Sequence, residues 1–118
     1  MKRILVAEDN DSNYLLMTFI LKGHYEFFRA VNGEEAVDKA CTDHPDLILM
    51  DMKMPKKDGL AATKQIKSLL PNMPIIALTA NAFDSDRTAA EQAGCCGFLS
   101  KPVNRDECMA LLKKLLGD

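Results

Sequence analysis

The sequence predicts an α/β fold: a doubly wound parallel sheet of five strands with helices on both faces. Three observations carry this. Short apolar runs alternate with segments of helical periodicity along all 118 residues. Two of those runs, Leu47–Met50 and Ile75–Leu78, have no polar break, as expected of strands covered on both sides. The connections are short, and right-handed crossovers then give a βαβαβαβαβα chain wound about one sheet.

The elements follow in order. Residues 4–7 (ILVA) form the first strand, which ends in the acidic run Glu8-Asp9-Asn10-Asp11. Asp11 or Ser12 can cap the first helix. Its Leu15, Leu16, Phe19 and Ile20 share helical spacing, and Lys22-Gly23 stops it. Tyr25–Val31 is the second strand, and Asn32-Gly33 a turn. Residues 34–41 form a helix with Ala36, Val37, Ala40 and Cys41 on one face, broken by Asp43-His44-Pro45. The third strand runs into Asp51. A loop with Pro55 and Gly59 leads to a helix over 60–70 that buries Ala62, Ile66 and Leu69. The fourth strand finishes at Thr79-Ala80-Asn81. The fourth helix, 85–93, offers only Ala89, Ala90 and Ala93 to the core, so it is weakly held. Gly94 stops it, and Gly97–Ser100 is the fifth strand. The last helix starts at Asn104, with Glu107 as a reciprocal cap, and turns Cys108, Leu111, Leu112, Leu115 and Leu116 inward.

Composition bounds the rest. The length fits one domain, 1–118. A formal charge of −2 recruits neither nucleic acid nor an acidic membrane. No apolar run spans a bilayer, and the first run is too short for a secretory signal. Cys41, Cys95, Cys96 and Cys108 show no metal-ligand spacing with His24 or His44. They read as small buried or half-buried side chains in a reducing cytoplasm.

All five strands end at one edge, where ligands bind in open α/β sheets. There Glu8, Asp9 and Asp51 bring three carboxylates together, Thr79 a hydroxyl and Lys101 an ammonium. Like charges at short range require a compensating cation. Magnesium fits, being a hard ion that uses few protein carboxylates and keeps several waters; manganese is the alternative. Asp51 can then act as a nucleophile toward phosphorus, with the ion and Lys101 holding the added negative charge.

VAEDN (6–10), DLILMDMKMPKKDG (46–59), ALTAN (77–81) and FLSKP (98–102) resemble, in order and spacing, the receiver domain of two-component response regulators. The resemblance implies a flavodoxin-like sheet of order 2-1-3-4-5. It makes Asp51 the phosphoacceptor, loaded by a histidine kinase or histidine phosphotransfer protein, in a signalling domain rather than an enzyme. It assigns magnesium to Asp9, Asp51 and the main-chain carbonyl of Lys53, with Glu8 acting mainly through water. Thr79 and Lys101 would bind the phosphoryl group, across a cis Lys101-Pro102 bond. Thr79 and Phe98 would form the switch that controls binding of a downstream protein. Lys53 and Asn81 would flank the approach of water to phosphorus. Charge and cysteine usage predict a cytoplasmic protein without direct nucleic-acid or membrane binding, and a stand-alone receiver would act by protein contact. A homodimer through the fourth helix, fifth strand and last helix stays open.

Two readings compete within the family: a stand-alone receiver, suggested by the sequence ending just after the last helix, and a receiver excised from a hybrid histidine kinase or phosphorelay protein. Outside it, a haloacid-dehalogenase phosphatase would need a second aspartate where Lys53 stands. A flavodoxin would need a phosphate loop where EDNDSN is acidic.

Overall fold

A computed structural model describes residues 1–80 and 84–117, and for 84–86 the backbone alone. The elements are β1 Arg3–Ala7, α1 Asp11–Leu21, β2 Glu26–Ala30, α2 Gly33–Asp43, β3 Leu47–Asp51, α3 Gly59–Leu69, β4 Ile75–Thr79, α4 Asp84–Ala93, β5 Gly97–Ser100 and α5 Arg105–Leu116. The five strands are parallel, in the order β2-β1-β3-β4-β5. The expected architecture and strand order are both present. No helix among the described residues is long and apolar enough to cross a membrane.

The sheet has two buried faces because alternate strand residues point opposite ways. Leu5, Ala7, Ile48, Met50, Ile75 and Ala77 face one core, which α2, α3 and α4 cover with Ala36, Val37, Ala40, Ala62, Ile66 and Ala90. Ile4, Val6, Leu47, Leu49, Ile76, Leu78 and Leu99 face the other, covered by Met17, Ile20 and Leu21 of α1 and Cys108 and Leu112 of α5. The first core is rich in alanine. Ala90 and Ala93 are buried on α4 and Ala89 is half-buried, as its thin apolar face predicts.

Several local readings change. The cap of α1 is Asn10, whose side chain accepts from the Asn13 N–H, rather than Asp11 or Ser12. Asn32-Gly33 is not a separate turn: Asn32 caps α2 and Gly33 is its first residue. Asp58 caps α3 in the same way, and Asn104 caps α5 at the start expected for it, accepting from the Glu107 N–H. Leu15 and Phe19 are 56% and 71% exposed, while Met17 and Leu21 are buried. Apolar residues surround most of α1, so spacing could not choose the inward face. Leu69, expected inside, is 54% exposed because it lies in the final turn of α3. Cys41 is half-buried, whereas Ala36, Val37 and Ala40 are buried. On α5, Cys108 and Leu112 are buried, with Leu111, Leu115 and Leu116 half-buried. The cysteines are free thiols; Cys96 is exposed, against expectation, and burial pushes Cys95 and Cys108 up to about 11. The Lys101-Pro102 bond is cis.

One close approach positions the end of β3. Gly59 opens α3 so near the preceding strand that an added Cβ would sit 2.0 Å from the Asp51 carbonyl oxygen. Its N–H donates to the Met52 carbonyl at 3.1 Å, closing the loop on itself. Backbone cannot move aside as a flexible side chain can. Gly59→Ala should therefore cost about 3 kcal/mol, the upper end of ordinary overpacking. At Gly23, a position with φ of +84° and open space around it, alanine should cost only about 1 kcal/mol, from backbone conformation alone. Urea denaturation of the two variants measures the difference, and equal midpoints would contradict the close-approach account.

Candidate functional site

The sheet register determines which side chains meet. Ala7 pairs with Met50, Asp51 with Leu78, and Thr79 with Ser100. The last residues of β1, β3, β4 and β5 thus lie along one edge. Glu8, Asp51, Thr79 and Lys101 occupy those ends or the positions just beyond them. Together with Asp9 and Lys53 they line one cleft of about 220 Å³. Residues distant in the sequence meet here because parallel strands all point the same way.

Lys101 holds the centre. Its Nζ lies 2.9 Å from Glu8 Oε2 and 3.0 Å from Asp51 Oδ2. Glu8 is 1% exposed and Asp51 5%. Burial raises the Glu8 pKa above its usual value, with the neighbouring Asp51 charge adding to the rise and Lys101 opposing it. Burial pushes Lys101 down, but its two carboxylate partners outweigh that and leave it raised. The ammonium therefore keeps its charge in a partly desolvated place.

Backbone groups orient the acids further. The Lys53 N–H donates to Asp51 Oδ1 at 3.1 Å, and the Asn10 N–H to Glu8 Oε1 at 3.2 Å. Asp9 is exposed at the mouth. One oxygen from each of Glu8, Asp9 and Asp51 can be chosen so that all lie within 4.8 Å of one another. With Lys101 as the only cation paired with them among the described residues, three ionised carboxylates leave an excess of negative charge. Glu8 Oε2 is buried and has no hydrogen bond beyond its ion pair. A hard divalent cation with oxygen ligands fits this donor set.

Thr79 is shared by neighbouring hollows. It lines the acidic cleft, and it also lines a neighbouring cavity of about 130 Å³ with Arg87, Phe98, Ser100 and Glu107. Phe98 is half-buried, and the Arg87 guanidinium stands over its ring at 5.0 Å from the centroid. Of the residues expected at the site, Glu8, Asp9, Asp51, Lys53, Thr79 and Lys101 line the acidic cleft and Phe98 lines the neighbouring cavity. Asn81 lies outside the described residues. Sequence reading missed Arg29 of β2, whose Nε donates to the Glu8 carbonyl at 3.0 Å. Its signal, a lone basic residue late in an aromatic strand, gave no indication of what it would touch.

Comparisons with known proteins agree with this geometry. The family model for the response regulator receiver domain matches residues 4–113. The polar-differentiation response regulator DivK of Brucella ovis is 38% identical, over 99% of this chain and 98% of its own. Among solved structures, the receiver domain of the sensor histidine kinase PA1611 of Pseudomonas aeruginosa, with magnesium coordinated in its active-site cleft, is 37% identical. It superposes with a TM-score of 0.92 and covers 99% of this chain and 98% of that one. A response regulator of Chloroflexus aurantiacus gives a TM-score of 0.93 at 30% identity, covering 99% of this chain and 98% of that one. The match across nearly the whole length, on a chain whose strand ends gather three acids, a threonine and a lysine, makes this protein a member of the response regulator receiver domain family of two-component signal transduction, whose function is to accept a phosphoryl group.

Proposed function

We propose that residues 1–118 act as one receiver unit in which the Asp51 carboxylate takes the phosphoryl group from a phosphohistidine on a histidine kinase or a histidine phosphotransfer protein. The observation that carries this is the Lys101 ammonium shared between Glu8 and Asp51 in a cleft at the strand ends. Asp51 Oδ2 is held by Lys101 and Oδ1 by the Lys53 N–H. The carboxylate is thus oriented before the donor arrives, which reduces the entropic part of the barrier. An aspartate oxygen attacks phosphorus, and the donor imidazole leaves.

Asp9, Asp51 and the Lys53 main-chain carbonyl would hold magnesium, with Glu8 acting through water; manganese shares the preference for hard oxygen ligands and is the alternative ion. When bound, the ion neutralises charge on the transferring oxygens. Lys101 binds one phosphoryl oxygen as a charged donor, and Thr79 offers its hydroxyl to another. The protein's own part is to position and stabilise. It assists the gain and the loss of its phosphoryl group without turning over a separate substrate.

Thr79 lines both the acidic cleft and the Phe98 cavity, so a shift of its side chain toward the phosphoryl group would alter the space beside Phe98. Phe98 has no hydroxyl, so packing alone reports the change. Phosphorylation then shifts a two-state population by differential interaction. The reporting surface is α4, β5 and α5, which binds a downstream protein or a second copy of the chain.

Incubation with magnesium and acetyl phosphate, followed by intact mass measurement, should add one phosphoryl group. Asp51→Asn, or removal of magnesium by chelation, should abolish the gain. No added mass under conditions that label a related receiver would overturn the reading. Asp9→Asn should weaken magnesium binding by about tenfold or more, and an unchanged titration would remove Asp9 from the site. A third outcome concerns pH. The Glu8 pKa is raised, so Glu8 regains its proton at a higher pH than a free glutamate. Loss of that negative charge disfavours the cation. Apparent magnesium affinity should therefore fall on acidification at a higher pH than a free glutamate would impose, and Glu8→Gln should move that fall to lower pH.

A further inference from the structure

Arg29 stands one residue before the end of β2, opposite Val6 of β1. Its side chain is 24% exposed and touches three points around the acidic turn. Nε donates to the Glu8 carbonyl at 3.0 Å. A terminal nitrogen meets Asp11 Oδ1 at 2.9 Å. The guanidinium carbon lies 4.5 Å from the centroid of the Tyr14 ring. On the other side of the same residue, the Glu8 N–H donates to the Ala30 carbonyl at 3.0 Å. Both main-chain polar groups of Glu8 are therefore tied to the end of β2.

The Glu8 carbonyl and the Asp9 N–H belong to one rigid peptide plane. Rotating that plane changes the direction in which Asp9 leaves the backbone relative to Glu8. We propose that Arg29 is a positioning residue of the cation site: by holding the Glu8–Asp9 peptide plane, it makes these two carboxylates converge with Asp51 on one ion. This rests on the reading that the three acids hold magnesium. Arg29 acts through the Glu8 backbone, with no contact to the ion required.

Two features separate this role from ordinary ones. The Asp11 carboxylate is 92% exposed, and an ion pair with so exposed a partner adds little to stability. Stacking on Tyr14 instead holds the guanidinium plane in place, so that Nε stays directed at the carbonyl. The second feature is the sign. Acting only through its field, a cation near the acids would repel a divalent ion, and its removal would tighten binding. Acting by position, its removal loosens binding.

The test is a magnesium titration followed by ¹H–¹⁵N NMR, in which the metal-free spectrum also reports the fold. Arg29→Gln should weaken magnesium binding by about tenfold, the low end for groups that orient metal ligands. Arg29→Lys keeps the charge but loses the planar fork, and should weaken it comparably. Asp11→Asn, which leaves the carbonyl contact intact, should change it little. Unchanged or tighter binding in Arg29→Gln would overturn the proposal, as would wild-type affinity in Arg29→Lys. If Arg29→Gln does not fold, Arg29→Lys decides by the same criterion. Failure of the wild-type chain to bind magnesium would remove the proposed function itself. Normal wild-type binding with unaffected variants would remove only the role of Arg29.

Discussion

The site depends on one ammonium group shared by two buried carboxylates. Lys101 lies 2.9 Å from Glu8 and 3.0 Å from Asp51, each carboxylate almost fully covered by protein. Two acids this close and this dry would resist ionisation together without a cation between them. Lys101 supplies only part of the compensation, because Asp9 adds a third carboxylate to the group. The remaining negative charge is what makes a divalent cation a fitting partner. Under the proposed function, the same excess would make an anionic phosphoryl group depend on that cation to approach.

That arrangement places demands on the whole sheet. Lys101 follows β5, at one edge; β4 separates it from Asp51 on β3, and β1 carries Glu8 beyond that. A slip of one residue in any of three registers would turn an acid or the lysine toward the wrong face. The two cores prevent such slips by sorting alternate residues of the same strands onto opposite faces. Gly59 then brings α3 against the Asp51 carbonyl with no room for a Cβ. The packing that stabilises the fold and the packing that aims the acids are the same packing.

The cleft is supported from two sides. On one, Thr79 is shared by the acidic cleft and a small cavity where Phe98 lies beneath the Arg87 guanidinium. Beside it, the described side chains that α4 buries are those of Ala90 and Ala93. On the other, Arg29 ties the turn after β1 to the end of β2. The first side is built from small side chains and a cavity, the second from a partly buried guanidinium with three partners.

Much of this was legible without coordinates. Unbroken apolar runs such as Leu47–Met50 marked buried strands, and helical spacing marked what lay between them. Once the strands are parallel, Glu8, Asp9, Asp51, Thr79 and Lys101 fall at one edge by chain direction alone. Where apolar residues surrounded a helix, the pattern lost its information. On α1 the spacing grouped Leu15, Leu16, Phe19 and Ile20, of which only Ile20 is buried, because Leu15 and Phe19 are as apolar as the buried Met17 and Leu21. Leu69 was misread because spacing does not show where a helix leaves the sheet. Asn10 displaced Asp11 as the cap because the helix begins one residue earlier than the acidic run suggested.

The sequence by itself therefore determined the order of elements, the side of the sheet that carries chemistry and the acids, threonine and lysine that meet there. All of these follow from local pattern and the polarity of the chain. Tertiary structure alone decided which helix faces turned inward, that Lys101 bridges Glu8 and Asp51 rather than only facing them, and that Arg29 reaches back to the Glu8 carbonyl. Those outcomes depend on how side chains from separate strands share space and charge across distances that no local pattern encodes.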